Sequence, residues 1–126
     1  MGRVKYRSKF EESTAKFLRA SKVRFDYESK EHLVTYTTEA TYLPDFILPN
    51  GIYCECKGWF RSSDMAKMKR VVEQHPELDI RMVFQEPNNK IRKGSKTTYG
   101  RWCDKHGIKW GTVSDIPKWA KEKPKG

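Results

Sequence analysis

The chain has 126 residues, 37% hydrophobic and 33% charged, which suits one globular domain with a modest core. No apolar run approaches the roughly 20 residues that cross a bilayer, so we expect no membrane-spanning segment and no apolar leader. The net charge of +10 favours a polyanionic partner, and nucleic acid is the commonest one.

The N-terminal half of the chain predicts one helix followed by strands. Ser8 and Glu11 have the spacing of a capping box, and apolar residues at helical period continue to about Ala20. Four segments rich in aromatic and β-branched residues follow, and we interpret them as strands over 24–28, 33–38, 41–48 and 52–57.

The C-terminal half predicts alternating helices and strands. Ser63 can cap a second helix, which Pro76 ends, and a strand over 80–84 follows. A basic loop follows over 85–96, and then a helix over 99–106 that a glycine stops. The last predicted elements are a strand over 108–110 and a short helix over 117–121. The pattern therefore predicts a mixed α/β domain with a central sheet.

The turn between the third and fourth predicted strands decides whether two acidic residues can cooperate. A two-residue turn, Asn50-Gly51, would send Asp45 and Glu55 to opposite faces of the sheet. A three-residue loop over 49–51 instead places them directly opposite each other, with Lys57 one step along on the same face. We favour the longer loop, because proline fits the first central position of a type I turn and glycine fits the left-handed position after it.

Two facing carboxylates whose Cβ atoms are ~5 Å apart would repel unless a cation lay between them. Hard oxygen ligands suit Mg²⁺, for which Mn²⁺ can substitute, and a bound ion can polarise a phosphate and activate water. The ammonium of Lys57 can orient that water or offset charge that develops on the phosphate. Taken singly, Asp45 could be a turn residue and Glu55 and Lys57 an exposed strand face. Together they predict hydrolysis of a phosphodiester.

Pro44-Asp45 followed by Glu55-x-Lys57 resembles the PD-(D/E)xK nuclease superfamily. Within it, the chain resembles the phage endonuclease I family of junction-resolving enzymes. The matching stretches are YLPDFILPNGI (42–52), ECKG (55–58), EQHPELDIRMVF (73–84), KGSKTTYG (93–100), KHGIK (105–109) and, less distinctively, RSKFE (7–11). The resemblance covers nearly the whole chain and departs from the family over 29–41 and at both ends.

The resemblance implies a restriction-endonuclease-like mixed central sheet flanked by helices, in an intertwined, domain-swapped homodimer. Within the single nuclease domain, 1–126, it implies that 1–32 packs on the partner, 33–41 bridges the two halves, and 42–126 forms the catalytic core. It also implies that the catalytic residues are Glu11, Asp45, Glu55 and Lys57, of which Glu11, Asp45 and Glu55 hold the metal. Glu11 has an alternative role as the third residue of the capping box.

The implied substrate is branched DNA, four-way junctions above all, recognised by shape and phosphate charge. Three basic groups are candidate DNA-binding residues, although each could be plain solvated charge: Arg3, Lys5, Arg7 and Lys9; Lys67, Lys69 and Arg70; and Lys90, Arg92, Lys93 and Lys96. The alternatives are a nicking, mismatch or flap endonuclease of the same superfamily, or a non-catalytic basic DNA-binding module. We expect a cytoplasmic protein, in the host cell if the chain is phage-encoded.

The cysteines and tryptophans are expected to be structural. An odd number of cysteines without a secretion signal indicates a reduced, intracellular protein. A zinc site from Cys54, Cys56, Cys103 and His106 is conceivable, but one-residue spacing within a strand is not the usual zinc pattern. The four tryptophans are expected in the core or at its rim and not as platforms for bases.

Overall fold

The computed structural model describes residues 5–36 and 40–124. Within these residues the helices are α1 (Lys9–Ala20), α2 (Ser62–Gln74), α3 (Tyr99–Lys105) and α4 (Ile116–Ala120). The strands are β1 (Asp26–Tyr27), β2 (Val34–Tyr36), β3 (Ala40–Tyr42), β4 (Phe46–Ile47), β5 (Tyr53–Lys57), β6 (Ile80–Phe84) and β7 (Lys109–Gly111). No helix in the described part of the chain is long and apolar enough to cross a membrane.

The central sheet is mixed, as the sequence predicts. Its strand order is β1-β4-β5-β6-β7, with β1, β4 and β5 antiparallel in turn and β5, β6 and β7 parallel. The two parallel connections run through α2 and α3, since parallel neighbours need a crossover and a helix commonly supplies it. The helices cover both faces of this sheet, so the predicted mixed α/β architecture is confirmed.

Each face of the sheet has its own hydrophobic core. Along β5, Cys54 and Cys56 point into a core with α1 and α4, which we call the α1–α4 core. Along β6, Ile80, Met82 and Phe84 point into the opposite core with α2 and α3, which we call the α2–α3 core. This alternation follows from the period of two along a strand, and it places residues 55 and 57 on the α2 side.

The predicted strand over 41–48 is wrong as a single element. It divides into β3 and β4, which belong to different sheets, because Pro44 lies between them and has no N–H to donate to a ladder. β3 pairs with β2 in a separate two-stranded antiparallel sheet, with Val34 opposite Tyr42. The predicted bridge over 33–41 therefore includes a paired segment within one chain, and its residues 37–39 lie outside the described part. The exchange between protomers stays a prediction.

The predicted cap of α2 is also wrong. The helix begins at Ser62, and Arg61 is its N-cap instead of Ser63. The side chain of Asp64, in the first turn, accepts a hydrogen bond from the backbone N–H of Arg61 at 2.9 Å. This bond satisfies a donor at the helix start, so the boundary lies earlier than a serine cap predicts.

Candidate active site

The loop over 49–51 has the three-residue form, which confirms the predicted hairpin register. Phe46 pairs with Cys54 and Ile47 with Tyr53, so the same register places Asp45 opposite Glu55. The turn is closed by a hydrogen bond from the N–H of Gly51 to the carbonyl of Leu48 at 2.9 Å. Gly51 has φ of +93°, the left-handed region that glycine enters without a steric penalty.

Glu55 is a buried carboxylate with a donor on one side and a cation on the other. Only 5% of the residue is exposed, on the α2 side of β5. Its Oε1 accepts a hydrogen bond from the hydroxyl of Tyr42 at 2.8 Å, and its Oε2 lies 3.8 Å from Nζ of Lys57. Burial raises the pKa of Glu55 above its usual value, while Lys57 and the bond from Tyr42 oppose that rise.

Asp45 is a second buried carboxylate, and its pKa is strongly raised. It is 5% exposed, and its Oδ2 accepts a hydrogen bond from the N–H of Cys56 at 2.9 Å. Burial raises its pKa to about 9, and the negative charges of Glu55 and Glu11 add to the rise. A cation bound among these carboxylates would offset the penalty that burial and the neighbouring charges place on the ionised form of Asp45.

The structure brings Glu11 to Asp45 within one chain. Ser8 caps α1 by accepting the N–H of Glu11 at 3.1 Å, whereas the Glu11 carboxylate accepts a hydrogen bond from the hydroxyl of Tyr27. Carboxylate oxygens of Glu11, Glu28 and Asp45 all lie within 4.8 Å of one another. The Glu11 side chain is thus available to the acidic cluster, which supports the predicted metal-site role over the capping role.

Glu28 is a site residue that sequence reasoning missed. Its backbone N–H bonds the carbonyl of Asp45 at 3.1 Å, which extends the pairing of β1 with β4 by one residue. Its φ of 44° turns the chain into the left-handed region at this point, and Arg7 lies 3.6 Å from its carboxylate. The sequence carries no signal for this placement, since Glu28 reads only as the end of a predicted strand.

Asp64 is a second missed residue. It is 8% exposed in the first turn of α2, and its Oδ1 lies 3.5 Å from Nζ of Lys57. Lys57 is therefore held between Glu55 on its own strand and Asp64 on the next helix. An acidic residue in the first turn of a helix could have been noticed, but its contact with Lys57 depends on the packing of α2 against the sheet.

The predicted basic residues occupy different surroundings. Lys67 is partly buried, its Nζ lies 5.4 Å from the centre of the Tyr42 ring, and its charge lowers the pKa of Glu55. Arg3 lies outside the described residues. The remaining predicted residues are exposed, and they are Lys5, Arg7, Lys9, Lys69, Arg70, Lys90, Arg92, Lys93 and Lys96. The loop over 90–96 is closed by pairing of Lys90 with Thr98, so it projects four basic side chains from a short hairpin.

The zinc alternative is wrong. Cys54 and Cys56 lie in the α1–α4 core and Cys103 lies in the α2–α3 core, so the sheet separates them. Burial raises the pKa of Cys54 to about 12 and that of Cys103 to about 12. The two strand cysteines do share one buried face, as predicted.

Comparison with known proteins gives one consistent family. The Phage endonuclease I family matches residues 1–125. The chain is 45% identical over 121 residues to Endonuclease I of Escherichia phage T7, across 95% of this chain and 81% of that protein. It is 47% identical over 104 residues to Endodeoxyribonuclease 1 of Enterobacteria phage T3, across 82% of this chain and 68% of that protein.

Proposed function

The chain belongs to the phage endonuclease I family and is an endodeoxyribonuclease, and from that premise we propose that it is a divalent-metal-dependent enzyme that resolves four-way DNA junctions. Paired hydrolysis of phosphodiesters in two strands of the junction would release two nicked duplexes. The observation that carries the chemistry is the cluster of Glu11, Glu28 and Asp45, whose carboxylate oxygens lie within 4.8 Å of one another. Beside it lies the buried Glu55, whose charge acts on Asp45 and whose Oε2 is 3.8 Å from the ammonium of Lys57.

The acidic cluster fits a hard divalent cation. Carboxylate oxygens of Glu11, Glu28 and Asp45 lie within 4.8 Å of one another, Glu55 is close enough for its charge to raise the pKa of Asp45, and oxygen ligands suit Mg²⁺ or Mn²⁺. Burial raises the pKa of Asp45 to about 9, and the negative charges of Glu55 and Glu11, which a cation would offset, add to the rise. When bound, such an ion would polarise the scissile phosphate and lower the pKa of a water ligand.

The protein's own groups prepare the reaction. Tyr42 fixes one oxygen of Glu55, and Asp64 and Glu55 together fix the position of Nζ of Lys57. An ammonium held in this way can stabilise charge on a phosphate oxygen without reorganising first. Lys57 is only partly buried, so a phosphate can reach it from solvent.

The catalytic proposal is tested with Glu55→Gln, Lys57→Ala and the exposed control Lys105→Ala on a four-way junction. Both site variants should lose about 100-fold or more in cleavage rate while junction binding changes little, because the groups act on the transition state. The control should cleave like the unaltered protein. Rapid cleavage after removal of all divalent ions would contradict the proposed mechanism.

The preference for junctions is a separate part of the proposal, supported by the family membership and the basic surface. A competition between a four-way junction and linear duplex of the same sequence tests it. Equal affinity for both would favour a nicking, mismatch or flap endonuclease of the same superfamily. We place the enzyme in the host cytoplasm, where branched phage DNA would be available.

We further propose that the working unit is a homodimer with composite sites, in which residues 1–32 of one protomer make with the other protomer the contact that Glu11 makes with Asp45 within one chain here. Mixing Glu11→Ala with Glu55→Ala tests this directly. If the N-terminal segments are exchanged, each mixed dimer contains one intact site and regains cleavage of one strand. If each site belongs to a single chain, both sites stay defective and no activity returns.

A further inference from the structure

The side chain of Trp59 departs from the expectation that the tryptophans lie in the core or at its rim. It is 72% exposed, whereas Trp102 and Trp119 are each 9% exposed and Trp110 is half-buried. A tryptophan side chain contributes a large apolar area to cores and interfaces. When it stays in water, the protein lacks the stabilising free energy that its burial would supply. A large exposed indole is therefore a candidate contact surface.

Trp59 lies beside the active site on a firmly held stretch of chain. Only Gly58 separates it from Lys57 at the end of β5. The next residue, Phe60, is fully buried and packs against Phe84 at 5.1 Å between ring centres. With a strand before it and a buried anchor after it, the indole is presented from a fixed backbone.

Arg61 gives the exposed indole a positive neighbour. Its guanidinium carbon lies 5.2 Å from the centre of the Trp59 ring, which is cation–π range. Its Nε lies 3.4 Å from Oδ2 of Asp64, whose other oxygen lies 3.5 Å from Lys57. The buried carboxylate of Asp64 thus contacts both the catalytic lysine and Arg61, which positions the Trp59–Arg61 pair next to that lysine.

An aromatic face next to a guanidinium suits a nucleobase together with its phosphate. Inside an intact duplex both faces of each base are already stacked, so an indole has no free face to cover. At a point of strand exchange or a break, that stacking is interrupted and a base face becomes available. The chemistry therefore matches a base beside a branch point.

We propose that Trp59, supported by Arg61, is a stacking platform for an unstacked nucleobase next to the scissile phosphate, and that it contributes to selection of branched DNA over intact duplex. This inference rests on the proposed nuclease function and adds a specificity residue to it. The alternative use of an exposed indole, burial against a second copy of the chain, is an outcome of the test below.

The test measures dissociation constants of Trp59→Ala, Trp59→Phe and Lys105→Ala for a four-way junction and for linear duplex, in EDTA to prevent cleavage. Lys105 is the control because it is exposed in the last turn of α3 and belongs neither to the candidate site nor to the predicted basic groups. Trp59→Ala should weaken junction binding about 10-fold and duplex binding less than about 2-fold, since stacking on an aromatic is lost. Trp59→Phe should retain most of the junction affinity, and Lys105→Ala should match the unaltered protein.

A base analogue at the branch supplies an independent readout. Fluorescence of 2-aminopurine placed beside the exchange point should be quenched on binding of the unaltered protein and less so on binding of Trp59→Ala. Equal losses on junction and duplex, an unchanged junction affinity, or a smaller sedimenting mass of Trp59→Ala would each overturn the inference. If the unaltered protein itself cleaves no junction, the proposed function fails; if it does and Trp59→Ala discriminates normally, only this inference fails.

Discussion

The Asp45→Asn substitution is expected to abolish cleavage and, in metal-free buffer near pH 8, to raise the stability of the protein. Asparagine keeps an oxygen that can accept the N–H of Cys56, now 2.9 Å from Oδ2, but it carries no charge. The buried carboxylate of Asp45 is destabilised by desolvation and by Glu55 and Glu11, which raise its pKa from 3.8 to about 9. Because asparagine has no charge to desolvate, the variant should have a larger free energy of unfolding.

The sign of the pH dependence follows from the raised pKa. The Asp45 carboxyl has a higher pKa in the folded protein, about 9, than the 3.8 expected in the unfolded chain. Its contribution to the free energy of unfolding is therefore fully present below pH 3.8 and is lost as the pH rises towards about 9. Each unit of pH in that window is worth about 1.4 kcal/mol, so the nominal penalty at pH 8 is about 5–6 kcal/mol. Local relaxation and water entry reduce it, and we expect a gain of about 1–3 kcal/mol, or roughly 3–10 °C in Tm.

Thermal unfolding followed by circular dichroism, in EDTA and in excess Mg²⁺, provides the measurement. The gain from Asp45→Asn should be present near pH 8 and vanish near pH 4, and Mg²⁺ should raise the Tm of the unaltered protein more than that of the variant. Glu12→Gln, which neutralises an exposed acid on α1, should leave the Tm near pH 8 and its increase with Mg²⁺ the same as in the unaltered protein. A lower Tm for Asp45→Asn at pH 8, or a difference that persists at pH 4, would refute the reasoning.

Three further substitutions test the surrounding structure. Tyr42→Phe removes the hydroxyl 2.8 Å from Glu55, so the pKa of that acid should rise further; the acid limb of the pH–rate profile should move to higher pH, and an unmoved limb would contradict the assignment. Gly100→Ala would place a Cβ 2.6 Å from the Trp110 ring, so denaturant unfolding should show a loss of about 1–3 kcal/mol, whereas an unchanged midpoint would exclude this tight packing. Gly51→Ala has free space but φ of +93°, so it should cost about 1–2 kcal/mol through backbone strain alone, and a neutral effect would contradict the turn conformation.

Local chemistry was sufficient to predict the hairpin at the centre of the candidate site. The residue types at 49 and 51 selected a three-residue loop, and the period of two along each strand then fixed Asp45 opposite Glu55. The N-terminus of α1 at Ser8 followed equally from a side chain that caps its own helix. These features depend on residues close together in the chain, so the sequence by itself determined them.

The rest of the site was decided by contacts between distant segments. Glu28 reaches Asp45 because β1 pairs with β4, and Asp64 reaches Lys57 because α2 packs over the end of β5. The exposure of Trp59 depends in the same way on which neighbours the fold leaves uncovered. Pairing of strands and docking of helices are cooperative, non-local choices, so no short pattern encodes them and only the tertiary structure shows which charges and rings meet.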